Sequence, residues 1–128
     1  MAYYFSKTLG ADFDEAVRRT VDALKEEGFG VLTDIDVKDT LKKKINADFR
    51  RYRILGACNP KLAHEALQAE DKIGTMLPCN VVVQERPDGK IEVAAIDPVA
   101  SMMAIENPRL GETARLVREK MQRVVARL

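Results

Sequence analysis

The sequence predicts an α+β fold in which an antiparallel β-sheet carries helices packed on one face. Three observations point there. Apolar and alternating runs that suit strands are interleaved with runs of helical spacing. The runs Cys79–Glu85 and Lys90–Ile96 flank Arg86-Pro-Asp-Gly89, whose Asp-Gly pair marks a hairpin turn. Strands also outnumber full strand-helix-strand crossovers, which favours helices gathered on one face over a doubly wound sheet.

The order along the chain reads β-α-β-α-β-α-β-β-α-α. Residues 3–9 alternate, with Tyr4, Ser6 and Thr8 on one face and Tyr3, Phe5 and Leu9 on the other, as in a strand. Asp12 precedes Phe13, Val17, Val21 and Leu24 at helical spacing, with Glu15 placed to complete a capping box and Gly28 to end the helix. From Phe29 to Val37 the odd positions, Phe29, Val31, Thr33, Ile35 and Val37, predict one face of a half-buried strand. A short helix is expected from near Asp36, since Val37, Leu41, Ile45 and Phe49 recur every four residues. Arg51–Ala57 reads as a strand that stops at Cys58-Asn59-Pro60, where Asn59 is an N-cap and Pro60 suits the first helical position. The helix that follows ends around Ala69. Beyond the hairpin, Asp97-Pro98 starts a short helix through Ile105. Asn107-Pro108 starts the last, whose buried face is Leu110, Ala114, Val117, Met121 and Val124 or Val125.

Composition narrows the function classes. The 128 residues form one domain, 1–128, long enough to bury a core without staples, and 46% apolar against 32% charged residues is the balance of a folded chain. Lys plus Arg (21) and Asp plus Glu (20) nearly cancel, so no nucleic-acid partner is expected. The longest uncharged runs fall far short of the roughly 20 apolar residues that span a bilayer, so no membrane is expected either. The first residues lack the pattern of a secretory signal, and two cysteines in a chain able to build its own core suggest a reducing, cytoplasmic setting.

The stretch Tyr52-Arg-Ile-Leu-Gly-Ala-Cys-Asn-Pro60, followed by Ala63, Ala66-Leu67, Ile73-Gly74, Leu77-Pro-Cys-Asn-Val-Val-Val83 and Asp97-Pro98, resembles the uncharacterised family numbered 302 among domains of unknown function. Asp36-Val37 with Leu41 and the closing helix extend the resemblance over nearly the whole chain. It implies a β-α-ββββ-α arrangement similar to the TATA-binding-protein-like fold, often as a dimer, and it brings no assigned activity. DNA binding does not follow from that likeness, because function belongs to sites and the basic surface of a minor-groove binder is missing.

The residues with chemistry cluster at one strand end. Cys58 sits immediately before a helix N-cap, where a thiolate is favoured, though buried free cysteines are mostly inert and the commoner reading is a small hydrophobe closing its strand. If the strands carrying Cys58 and Cys79 are antiparallel neighbours, the two thiols share one edge of the sheet, whereas a parallel crossover separates them. Cys58 and Cys79 are the metal candidates. Met102, Met103, His64 and Asp97 could complete a set only through tertiary proximity, and paired thiols with methionine would suit a soft ion such as Cu(I). His64 lies beside its helix's apolar stripe and is expected to be solvated. Asp34, Asp36 and Asp39 read as strand-end or cap residues, Lys42, Lys43 and Lys44 as a solvated face, and no phosphate-binding glycine loop is present. Gly56 and Gly74 stand where backbone must turn or approach closely, near Cys58, Asn59, Leu77 and Asn80.

The leading expectation is a non-catalytic small-ligand or metal binding or sensing module, with a site drawn from Gly56, Cys58, Asn59, Pro60, Cys79 and Asn80. A thiol-based redox protein or enzyme using Cys58, and a purely structural dimerisation domain, are the alternatives. No cofactor is indicated. A homodimer is expected from the family resemblance and from the open sheet edges of a small strand-rich domain.

Overall fold

Side-chain caps set the boundaries of the helices. The computed structural model describes residues 2–128. In it, Asp12 accepts from the Glu15 N–H at 2.8 Å, Asp36 from Asp39 N–H at 2.9 Å and Asn59 from Leu62 N–H at 3.2 Å. Asp97 accepts from Val99 and Ala100, and Asn107 from Arg109. These five residues open helices α1 (Phe13–Glu26), α2 (Val37–Ile45), α3 (Pro60–Ala69), α4 (Pro98–Ser101) and α5 (Pro108–Ala126). Pro60, Pro98 and Pro108 take first-turn positions, where the missing N–H costs nothing. Gly28, at φ +84°, ends α1 with Phe29 N–H donating to Leu24 C=O at 2.9 Å. Two local expectations change. The Glu15 carboxylate turns to Arg18 and Arg19 instead of completing a capping box, and α4 stops at Ser101, short of Ile105.

Strands β1 (Tyr4–Leu9), β2 (Gly30–Asp36), β3 (Tyr52–Cys58), β4 (Cys79–Glu85) and β5 (Ile91–Ile96) form one sheet in the order β1-β5-β4-β3-β2. Every neighbouring pair is antiparallel. The fold is α+β, as the sequence predicts. Side chains alternate across the sheet, so Leu55, Ala57, Cys79, Val81, Val83, Ile91, Val93 and Ala95 are buried beneath the helices. The other face carries Ile54, Val82, Ala94 and Ile96, each half-buried.

The strand expected to keep its odd positions on one face does not. Its register shifts between Val31 and Thr33, and Leu32 stands 68% exposed at the shift. The extra residue turns the strand over. Val31, opposite Ala57, packs on the core, while Thr33, opposite Gly56, and Ile35, opposite Ile54, lie on the uncovered face. At Gly56 a Cβ would stand 2.1 Å from Thr33 Oγ1 and 2.7 Å from Pro78 Cγ, so glycine is needed for these chains to approach. The predicted stripe of α2 also stays shallow. None of its residues is buried and Ile45 is 69% exposed, because α2 flanks the β2–β3 edge.

Among the described residues the core forms two clusters. The larger joins the sheet to Phe13, Ala16, Val17, Ala23 and Leu24 of α1 and to Val117, Met121, Val124 and Val125 of α5. The smaller holds Ala66, Ile73, Met102, Leu110 and Ala114. Thr20, not Val21, completes the buried stripe of α1, its hydroxyl donating to Ala16 C=O at 2.7 Å. The C-terminal half of α5 is anchored electrostatically. Glu27, 7% exposed, accepts from Arg123 Nε at 2.8 Å and from Arg127 Nη2 at 3.0 Å.

The hydrogen bond from Arg123, then that from Arg127, holds the Glu27 carboxyl below its usual range against the opposing effect of burial. A depressed folded pKa stabilises the fold above the unfolded value near 4.5, and that contribution is lost as pH falls through the folded value. Glu27→Gln is therefore expected to lose about 1–2 kcal/mol at neutral pH, with the gap to the parent narrowing below about pH 4.5. Urea unfolding at several pH values checks this; a gap independent of pH would contradict it.

Candidate functional site

Asn59-Pro60 ends β3 by opening α3, and the chain returns through α3 and a 3₁₀ turn at Ile73–Met76 to begin β4 beside the end of β3. The connection acts as a long hairpin insert. The two cysteine-bearing strands are therefore antiparallel neighbours, and Cys58 and Cys79 stand at the same end of the sheet. Their register is offset by one residue: Cys79 stands opposite Ala57, and Cys58 opposite Gly30 on the other side. Both thiols are free.

Over this edge lies a pocket of about 340 Å³. Its floor is Ala57, Cys58 and Cys79; α3 contributes Leu62, Ala63, Ala66 and Leu67; Gly74, Leu77 and Pro78 close one side. Pro98 and Met102, together with Leu110, Thr113, Ala114 and Val117 of α5, form the opposite wall. Asn59 stands among the lining residues, its Oδ1 held by Leu62 N–H and its amide nitrogen 3.0 Å from where a Cβ on Gly28 would stand. Among the described residues no charged side chain lines this pocket.

The expected site residues divide. Cys58, Asn59 and Cys79 line the pocket. Gly56 is buried under Thr33 and Pro78. Pro60 is an exposed first-turn residue. Asn80, by alternation, belongs to a different hollow of about 340 Å³ on the uncovered face, with Tyr4, Tyr52, Val82, Gln84 and Glu92. Of the further soft or titratable candidates named with the thiols, Met102 is buried and lines the pocket, whereas Met103 and His64 are exposed. Asp97 is 4% exposed, caps α4 and accepts from Arg118 Nε at 3.1 Å. Among the described residues no three His, Cys, Asp or Glu side chains gather where they could hold a metal ion.

The sequence reading did not include the α5 wall, Leu110, Thr113, Ala114 and Val117. Its signal is the pair Thr113-Ala114 on the buried stripe, small side chains that leave room beside a neighbouring helix. Burial, with a smaller contribution from the nearby Cys58, pushes the Cys79 thiol up to about 11. At neutral pH it is a protonated, apolar wall element.

The family model described as "Domain of unknown function DUF302" matches residues 5–128. The chain is also similar to the crystal structure of uncharacterized conserved protein DUF302 from Bacillus stearothermophilus. The two share 27% identity with a TM-score of 0.91, covering 99% of this chain and 98% of that one. No curated protein matches. Among the described residues no helix is long and apolar enough to cross a membrane.

A raised thiol pKa favours the protonated form in the fold. Between the unfolded value near 9 and the folded value near 11 the unfolded chain sheds a proton that the native state keeps, so stability falls as pH rises through that window. The parent is expected to lose about 2–3 kcal/mol there that Cys79→Ala does not lose, read by denaturant midpoints at each pH. Equal losses in both proteins would contradict the burial of this thiol.

Proposed function

Because the chain belongs to the DUF302 family, we propose from its own geometry that it is a non-catalytic binding or sensing module for a small ligand held over Cys58, Asn59 and Cys79. The observation that carries this reading is the pocket of about 340 Å³ between the sheet edge, α3 and α5, a size within the range of small-molecule sites. Non-catalytic binding is supported by the character of the wall. Among the described residues it offers no charged acid or base beside the thiols, and Cys79 is held protonated. A soft metal ion is the weaker occupant, since among the described residues only Met102 brings a further soft donor residue to the two thiols there. The two free thiols support a reducing, cytoplasmic setting.

A second reading concerns partners. We propose that the protein pairs with a second copy through the sheet face that no helix covers. Ile54, Val82, Ala94 and Ile96 give that face an apolar centre, and Tyr4 and Ile35 stand 42% and 48% exposed at its flanks. Covering such a face is what an isologous dimer accomplishes.

Native mass spectrometry of protein purified without chelator tests both readings. The expected spectrum shows a dimer of the 14.3 kDa chain carrying an added mass that denaturation releases. Monomer at micromolar concentration would rule out the pairing. Bare protein in every preparation, with no binding from a metabolite mixture, would rule out the binding module.

A further inference from the structure

We infer that the ligand of this pocket is an uncharged, largely hydrocarbon molecule, a chain or ring system. This rests on the binding reading above and adds the ligand's chemistry.

The wall sets the class. An ionised group brought into it would lose water with no opposite charge to meet, which is among the most costly transfers in a protein. Carboxylates, phosphates and ammonium groups are thereby excluded from the interior, while methylene or aromatic surface gains by leaving water. Fixed polar groups are few: the Thr113 hydroxyl is near its own helix's Arg109 C=O at 3.5 Å, and burial keeps the Cys79 thiol protonated. At Asn59 the Oδ1 already serves the α3 cap and the amide nitrogen lies against Gly28, so this residue adds little free polar surface to the wall.

The place of the pocket in the core gives a second, independent argument. Ala57, Leu62, Cys79 and Val117 of its wall belong to the larger cluster, and Met102 and Ala114 to the smaller. The pocket is the seam between them. Protein interiors close such seams with side chains at crystal-like density; here Ala63, Ala66, Gly74 and Ala114 leave the seam open, and an apolar occupant would join the two clusters into one core. At roughly 30 Å³ for each water-sized group, about 340 Å³ accommodates about ten such groups, the size of a medium-length chain.

Binding of N-phenyl-1-naphthylamine, an uncharged dye that brightens in apolar sites, tests this. It is followed by displacement with 1-decanol, decanoate and decylammonium. Dye binding is expected, with 1-decanol displacing it at concentrations at least tenfold below either charged analogue. Ala63→Trp and Leu67→Trp, both facing the pocket, are expected to weaken dye binding at least tenfold with unchanged circular dichroism. Leu67 is 44% exposed, so that variant folds even where Ala63→Trp does not. Val82→Trp, on the uncovered face, is expected to leave binding unchanged. Stronger displacement by a charged analogue would overturn the ligand class and leave the pocket reading standing. Dye binding that survives both pocket variants and disappears in Val82→Trp would place the site on the wrong face and overturn the inference. No dye binding by the parent would also overturn it; the broader reading would then fall with it only if native spectra show no bound mass of any kind.

Discussion

One helix spans both halves of the core, and the rest of the structure depends on how it is held. Helix α5 places Val117, Met121, Val124 and Val125 in the larger cluster and Leu110 and Ala114 in the smaller. At about 1.5 Å per residue its 19 residues run roughly 28 Å across the helical face. Polar ties hold it along that length. Asn107 donates to Ala69 C=O at 2.7 Å at its start, Arg118 donates to Asp97 at its middle, and Arg123 and Arg127 donate to Glu27 at its end. The Lys7 ammonium donates to the Leu128 carbonyl beyond it. With its position thus determined, α5 cannot slide toward α3 to close the space between them.

That constraint explains why the pocket lies where it does. Below it, the antiparallel return from β3 to β4 brings Ala57 and Cys79 together as a low floor. Above it, α3 starts at a boundary dictated by Asn59 and Pro60, and its Ala63 and Ala66 give it little reach. A floor of small side chains, a short helix with alanines inward and a longer helix tied at three points leave a gap that none of the three can fill. The opposite face of the sheet has a different problem, an apolar centre with no helix over it, and calls for a partner rather than a ligand.

Much of the fold was legible in the sequence because its signals are local. Asp12, Asn59, Asp97 and Asn107 mark helix starts through bonds made within three residues, and the Asp88-Gly89 turn is read from neighbours alone. The antiparallel approach of Cys58 and Cys79 was legible for the same reason, since the Asn59 cap and the run from Cys79 bound their strands. What was not legible depends on contacts distant in sequence. The shift at Leu32 has no turn signal; it becomes visible only when Thr33 is found opposite Gly56. Asn80 and Gly56 looked like site residues by proximity to the cysteines, but pleat alternation carries Asn80 through the sheet and Thr33 covers Gly56. The buried face of α5 was legible, but its part in the pocket was not, because it lies some fifty residues beyond Cys58 and Asn59 in the chain and only the small pair Thr113-Ala114 marks the opening.

Hydrogen exchange with and without N-phenyl-1-naphthylamine tests most directly whether the seam between the two clusters is the binding site. An occupant there should slow amide exchange in α3 and the first half of α5 together, because both helices then lose their shared opening motion, while α1 stays unchanged. Unchanged exchange in α3 and α5 despite bound dye, or protection confined to the strands around Val82, would contradict it.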